Sequence, residues 1–260
     1  MHIAEGMLPA SYAAAYGVGA AAFVAGGLKS LASKTKEIPM MKQLVGVATA
    51  GIFLVSLLPI PVPITGTSSH PGGTPLGAIL LGPWITILVS MVALLFQALF
   101  FAHGGLTTLG ANTLTMGVFG GMVGWALFRG LRGLGANLLW SGMVAGLLGD
   151  IVIYLGTSLQ LALAIHGNYP LGRVFLEIFG GFLPTQAPLA VLEGGFTGLV
   201  LKYIAERRPD ILITLKVVSA SEMQAEQGRK SESAKPKAEG FGEKNVNSSG
   251  EAAAYRGAER

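Results

Sequence analysis

Apolar runs long enough to cross a bilayer recur along residues 9–205, at roughly 9–28, 40–60, 75–101, 107–129, 136–163, 171–183 and 186–205. About 20 such residues suffice for one helical crossing. In hydrocarbon every backbone N–H and C=O must be satisfied within its own segment, which selects helices. The pattern predicts an all-α polytopic membrane protein, a bundle of six to seven transmembrane helices. Seven is the direct count; the sixth run is short and is followed by Pro184 and Pro188. Only 12% of the 260 residues are charged, about half the share of a soluble domain, and the net charge of +4 gives no reason to expect a nucleic-acid partner.

The loop carrying Lys29, Lys34, Lys36 and Lys42 holds most of the basic charge between passes, which makes it cytoplasmic by the positive-inside rule. The N-terminus is then expected outside and the C-terminal tail, after Lys202, Arg207 and Arg208, inside. Seven passes put Arg129 and Arg132 outside, against the rule; six passes with a re-entrant segment would remove the conflict. Met1 opens directly into His-Ile-Ala-Glu-Gly with no basic n-region, so no cleavable signal peptide is expected.

Small residues recur every fourth position at Ala13, Gly17, Ala21 and Ala25, and again at Gly117/Gly121, Gly120/Gly124, Gly142/Gly146 and Gly194/Gly198. Such faces let helix backbones approach closely, within the chain or, for the first pass, against a partner subunit. Residues 1–205 are expected to form the transmembrane unit. Residues 206–260 read as a largely disordered polar tail, since 219–260 hold almost no bulky apolar side chains and the Ile211–Val218 run is marginal.

Cysteine is absent, which removes disulfide and thiolate chemistry. Met1 and His2 offer something else. A free α-amine, the His2 backbone nitrogen and the His2 imidazole Nδ1 can close a five- and a six-membered ring on one ion, leaving one equatorial position open. Tetragonal nitrogen sites suit late first-row divalent metals, and His2 should block removal of the initiator Met. The loop at 59–75 is uncharged, stiffened by proline and centred on His70, with Thr67 and Ser69 beside it. It is expected on the same side as Met1, where a neutral imidazole could fill the fourth position. His103, after the third pass, is expected at the far, cytoplasmic end, organising the Gly104–Asn112 turn; His166 is expected at the surface. Asp150, Tyr154 and Thr157 form a polar stripe on the fifth pass, read as inter-helix hydrogen bonding, and Glu193 lies in the last pass, where it bonds between helices or steadies a ligating imidazole. Glu5-Gly6 is expected to turn the N-terminal segment into its pocket.

Met-His-Ile-Ala-Glu-Gly-Met-Leu-Pro at 1–9, Thr-Gly-Thr-Ser-Ser-His-Pro-Gly-Gly-Thr-Pro-Leu-Gly-Ala-Ile-Leu-Leu-Gly-Pro at 65–83 and Leu-Phe-Gln-Ala-Leu-Phe-Phe-Ala-His-Gly-Gly-Leu-Thr-Thr-Leu-Gly-Ala-Asn at 95–112 closely resemble the cobalt/nickel substrate-capture (S) component of energy-coupling-factor transporters (CbiM/NikM). The stretches around Gln160 and Glu193 look like that family too, and the likeness covers roughly residues 1–205. It implies an S-component fold with an extra N-terminal helix. It also implies a metal site of Met1, His2 and His70; Glu193, His103, Ser69 and Thr67 are our own candidates for supports behind the imidazoles. The implied function is capture of Co(II) for uptake, supplying cobalamin biosynthesis, at the inner cell membrane. The implied partners are a small accessory membrane subunit, a transmembrane coupling subunit and two ATPase subunits. The chain has no Gly-x-x-x-x-Gly-Lys-Ser/Thr motif, so ATP hydrolysis falls to a partner and the chain is not expected to be an enzyme; no organic cofactor is expected. Deprotonation of a peptide nitrogen favours Ni(II), whereas Ser-Ser-His-Pro and Ala-His-Gly-Gly resemble the cobalt members; the expected cargo is Co(II), with Ni(II) the alternative. A metal-independent solute transporter, a membrane enzyme and a structural scaffold are the rivals. The enzyme is disfavoured by the lack of HExxH, spaced carboxylate-pair or Ser/His/Asp patterns.

Overall fold

The computed structural model describes residues 2–57, 60–62 and 67–233; Met1, the rest of the proline-rich loop and the tail beyond 233 lie outside the described residues. In chain order the elements are α1 (Ala10–Glu37), α2 (Met41–Val55), β1 (Ile60–Val62), β2 (Thr67–Ser69), α3 (Thr74–Leu81), α4 (Pro83–Phe101), α5 (Leu109–Thr113), a π-helical stretch (Leu114–Gly120), α6 (Gly121–Gly133), α7 (Leu138–Ile165), α8 (Leu171–Arg207), α9 (Pro209–Thr214) and α10 (Ala220–Ser233). Among the described residues, five helical stretches are long and apolar enough to cross a membrane: α1, α4, the continuous Leu109–Gly133 stretch, α7 and α8; α2 is apolar but has only 15 residues.

Two expectations about the passes need correction. The sixth and seventh runs are one helix, α8, with Pro184 and Pro188 inside it. Proline removes one ladder hydrogen bond and kinks a helix, but membrane helices tolerate it when neighbours re-satisfy the freed carbonyl. The third run is two helices. Gly82 has φ +90° and Pro83 follows at the first position of α4, a left-handed turn into a preset helix start. The eight residues of α3 rise only about 12 Å, so α3 enters the bundle partway and α4 returns across it.

That fold-back relocates everything downstream. Lys34 Nζ donates to Leu81 O at 2.8 Å, Arg129 to Lys216 O at 3.2 Å, and Arg132 sits 3.8 Å from the Glu222 carboxylate. Arg129 and Arg132 therefore share one end with Lys34 and the C-terminal segment, contrary to the seven-pass expectation, and the re-entrant α3 is what removes the conflict.

The glycine pairs pack within the chain; on the α1 stripe the close contact is at Gly17, while Ala21 and Ala25 are exposed. A Cβ on Gly110 would lie 2.5 Å from Gly17 Cα, and one on Gly142 3.0 Å from Gly198 Cα, so α1 meets α5 and α7 meets α8 at backbone contact. The tail boundary moves as well. Leu212, Leu215, Val217, Val218 and Met223 are buried in one cluster with Met41, Phe128, Leu138 and Leu201. Residues 209–223 thus close the basic end instead of trailing from it; an apolar run too short to span a bilayer has found a core to cover.

Candidate metal centre

At the opposite end the N-terminal peptide is drawn into the protein. The Ile3 amide donates to Asn112 Oδ1 at 2.8 Å, and Ile3 O accepts from Thr108 Oγ1 at 2.7 Å and Asn112 Nδ2 at 3.2 Å. Ile3 itself is fully buried with Leu8, Ala111 and Leu161. Glu5 accepts from the Thr107 amide at 3.2 Å and from the Thr107 hydroxyl, and Gly6, at φ +78°, turns the chain toward α1. His2 pairs antiparallel with Ser68 of β2, so it adds to the β1–β2 ribbon.

His70 follows that ribbon. Its amide donates to the Tyr154 hydroxyl at 3.0 Å and the same hydroxyl donates to His70 O at 3.1 Å, so α7 clamps the residue at both backbone groups. His70 Nδ1 lies 2.8 Å from Pro71 O. A carbonyl can only accept, so Nδ1 carries the proton and Nε2 presents its lone pair. That Nε2 stands 2.6 Å from His2 Nδ1. Two nitrogens at right angles on one ion, with bonds of about 2.0 Å, are separated by about 2.8 Å, so the pair is spaced like adjacent ligands.

His103 needs the largest correction. It does not lie at the far end: its ring centroid is 4.2 Å from that of His2 and 5.4 Å from that of His70, and one nitrogen from each of the three rings falls within 4.8 Å of the others. The cause is the turn at Gly82, which returns α4 to the end from which α3 began. Burial holds the His2 and His70 imidazoles well below the usual range, with the neighbouring His70 adding to the effect on His2, and burial lowers His103 to about 4. All three are neutral near pH 7, the form in which imidazole binds metal.

The other candidates are placed as follows. Ser69 Oγ bonds to Thr185 Oγ1 of α8 at 2.9 Å, and Thr67 is buried in β2. Glu193 accepts from the Gly73 amide at 2.7 Å; it steadies the backbone after His70, not an imidazole. His166 is part-exposed, 3.2 Å from Tyr169 O. Met1 lies outside the described residues. Sequence reasoning passed over Gln97, which packs beside His2 and donates to Ser56 Oγ at 2.7 Å, and the Thr108–Asn112 clamp. A carboxamide near the end of an apolar helix was the available signal, since such groups are costly in a membrane.

A family model described as "Cobalt uptake substrate-specific transmembrane region" (CbiM) matches residues 2–211. The chain belongs to that family. It is 47% identical over 220 residues to "Cobalt transport protein CbiM" of Geobacter sulfurreducens, covering 85% of this chain and 64% of that protein, so it spans less than two thirds of that relative. It is 46% identical over 218 residues to the protein of the same description from Sorangium cellulosum, covering 84% of this chain and 97% of that one. A solved structure described as a truncated transition metal transporter superposes with a TM-score of 0.69 at 28% identity, over 79% of this chain and 99% of its own. CbiM is a family of membrane transport components, not of enzymes, and the apolar helices of this chain agree with a multi-pass membrane protein.

Proposed function

We propose that this chain captures Co(II) at the outer face of the inner membrane for uptake, holding it by the Met1 amine, the backbone nitrogen and imidazole of His2, and the imidazole of His70. The carrying observation is the 2.6 Å approach of His2 Nδ1 to His70 Nε2, with both side chains buried and the terminal peptide clamped behind them. In a chelate through the amine and the His2 amide, the open equatorial position adjoins Nδ1, and the short distance from Nδ1 to His70 Nε2 supports His70 as the fourth ligand. His103 faces the same rings and either caps the site or fixes the His2 plane.

The histidines lie outside if the end bearing Lys34, Arg129, Arg132 and Lys216 is cytoplasmic, as its charge argues. Energy coupling then comes from partners: an accessory membrane subunit, a transmembrane coupling subunit and two ATPases of an energy-coupling-factor transporter, delivering cobalt to cobalamin synthesis. Ni(II) is the second reading, favoured by the need to deprotonate a peptide nitrogen. Adding one residue before Met1 should abolish tight Co(II) binding while the melting temperature of the metal-free protein stays the same. Co(II) binding unchanged by the extension would sink the chelate, and a competitive Co(II)/Ni(II) titration on the native protein decides the cargo.

A further inference from the structure

The end away from the histidines carries a cavity that metal capture does not use. Three helical stretches of membrane length meet there: α1 ends at Glu37, the Leu109–Gly133 stretch ends, and α4 begins at Pro83. Between them lies a space of about 210 Å³, lined by Lys34, Glu37, Arg129 and Lys216 together with Trp125 and Leu215. It has the volume of about seven waters, room for a phosphate and its ester oxygens.

The charges around this space do not balance. Lys216 Nζ is 3.7 Å from Glu37 Oε2, and Arg132, close by, is 3.8 Å from Glu222. Glu222, whose charge Arg129 also feels, accepts from the Ser219 amide and hydroxyl at 2.7 Å each. Among the described residues neither Lys34 nor Arg129 has a carboxylate at ion-pair distance. Four cations thus face two carboxylates, and Lys34 is close enough to feel the charges of Glu37, Lys216 and Arg129. Lys34 gives one proton to Leu81 O at 2.8 Å and Arg129 one to Lys216 O at 3.2 Å. An ammonium has three donors and a guanidinium five, so most are unused within the protein. Lys34 is also half-buried in the last turn of α1, where a charge is expensive without a counter-ion.

The depth of the cavity points to the carrier of that counter-ion. The chain has three tryptophans, and all of them mark this end. Trp84 is the second residue of α4 and Trp140 the third of α7, both exposed. Trp125 lies one turn before Arg129, with the guanidinium 6.0 Å above its ring. Tryptophan at the ends of membrane helices sits at the level of the lipid headgroups, and basic pockets between helices at that level hold the phosphates of anionic lipids.

We propose that Lys34, Arg129 and Lys216 form a phosphate-binding site filled by the headgroup of an anionic phospholipid, with Trp125 and Leu215 as its apolar wall. The site stands whether or not the histidines take cobalt.

The test uses delipidated full-length protein in detergent, titrated with phosphatidylglycerol, phosphatidylcholine or inorganic phosphate and followed by native mass spectrometry. Wild type should bind a single phosphatidylglycerol about tenfold or more tighter than phosphatidylcholine, and inorganic phosphate should not displace it. A basic residue at this level is worth about fivefold in affinity for an anionic lipid, so Arg129→Gln/Lys216→Asn should lose about 25-fold. Asparagine suits the positive φ of 57° at Lys216. Lys29→Gln/Lys36→Gln removes the same charge from exposed positions of α1 outside the cavity and should keep the preference. Circular dichroism in lipid-free detergent checks that both double variants are folded. If the cavity variant unfolds, Lys216→Asn alone, at an exposed side chain, should cost about fivefold, and an unchanged preference there overturns the proposal. So does a wild type without preference for phosphatidylglycerol, which leaves the cavity to an acidic segment of a partner protein. Equal losses in the two double variants would assign the preference to diffuse charge, and inorganic phosphate binding as tightly as the lipid would make the carrier a soluble anion; either result sinks the lipid site.

Discussion

His2 and His70 meet because their backbones are held from behind, and the groups that hold them carry as much of the geometry as the rings do. Tyr154 takes both backbone groups of His70 with one hydroxyl, and Gln97 packs beside the His2 ring. Partners of this kind cost about 10–100-fold in metal affinity when removed. Tyr154→Phe and Gln97→Ala should each weaken Co(II) binding by a factor in that range, and His166→Ala should leave it unchanged, by titration of purified protein. Acid supplies a second check. Folding holds all three imidazoles below the usual value of about 6.5, so the unfolded chain binds more protons than the fold does. Stability from these groups is complete above pH 6.5 and is lost progressively as pH falls below it, through about 4 for His103. The melting temperature of metal-free wild type should therefore drop across that window more steeply than that of His2→Gln/His70→Gln/His103→Gln. His2 and His70 were legible in the sequence because the chelate rings and the stiff uncharged loop are local features. His103 was not, since its place depends on which way α4 runs.

Direction was lost at the level of elements, and for one reason. Residues 75–101 look like a single long pass, and only Gly82-Pro83 marks the break; apolar content says that a segment is in the membrane but not whether it turns back. Pro184 and Pro188 misled in the opposite sense, reading as a boundary where α8 runs through. The glycine pairs were legible as close-packing surfaces, and the geometry assigns them to contacts within the chain, while Ala21 and Ala25 of the α1 stripe are exposed. At Gly198 an added Cβ would stand 2.7 Å from Leu139 O, a backbone atom that cannot swing aside, whereas at Gly195 nothing lies within 4 Å. Gly198→Ala should cost about 1–3 kcal/mol through overpacking of α7 on α8, and Gly195→Ala should be neutral or slightly stabilising through better helix propensity. Thermal unfolding of the two single variants in the same detergent makes the comparison; equal melting temperatures would show that α7 and α8 can separate without cost.

For the whole molecule, the two ends behave as separate problems joined by the long helices. One end holds the histidines, with the terminal peptide tied to α5 and its preceding loop. The other is closed by residues 209–223, whose Leu212, Leu215, Val217, Val218 and Met223 share a core with Met41, Phe128 and Leu138. Composition made the tail look unable to fold, because it has too few apolar residues to form a core of its own; residues 209–223 borrow one from the membrane unit. Each of those side chains contributes about 1.5 kcal/mol or more when fully covered. Ending the chain after Arg208 should therefore lower the melting temperature clearly, and ending it after residue 233 should not. Neither truncation reaches the clamp on Ile3 or the Tyr154 hold on His70, so both proteins should keep one tight Co(II) equivalent per chain. If removal of residues 209–260 abolished Co(II) binding in protein that remained folded, the two ends would be coupled through the bundle far more strongly than their packing indicates. Closure of the basic end would then belong to metal capture itself.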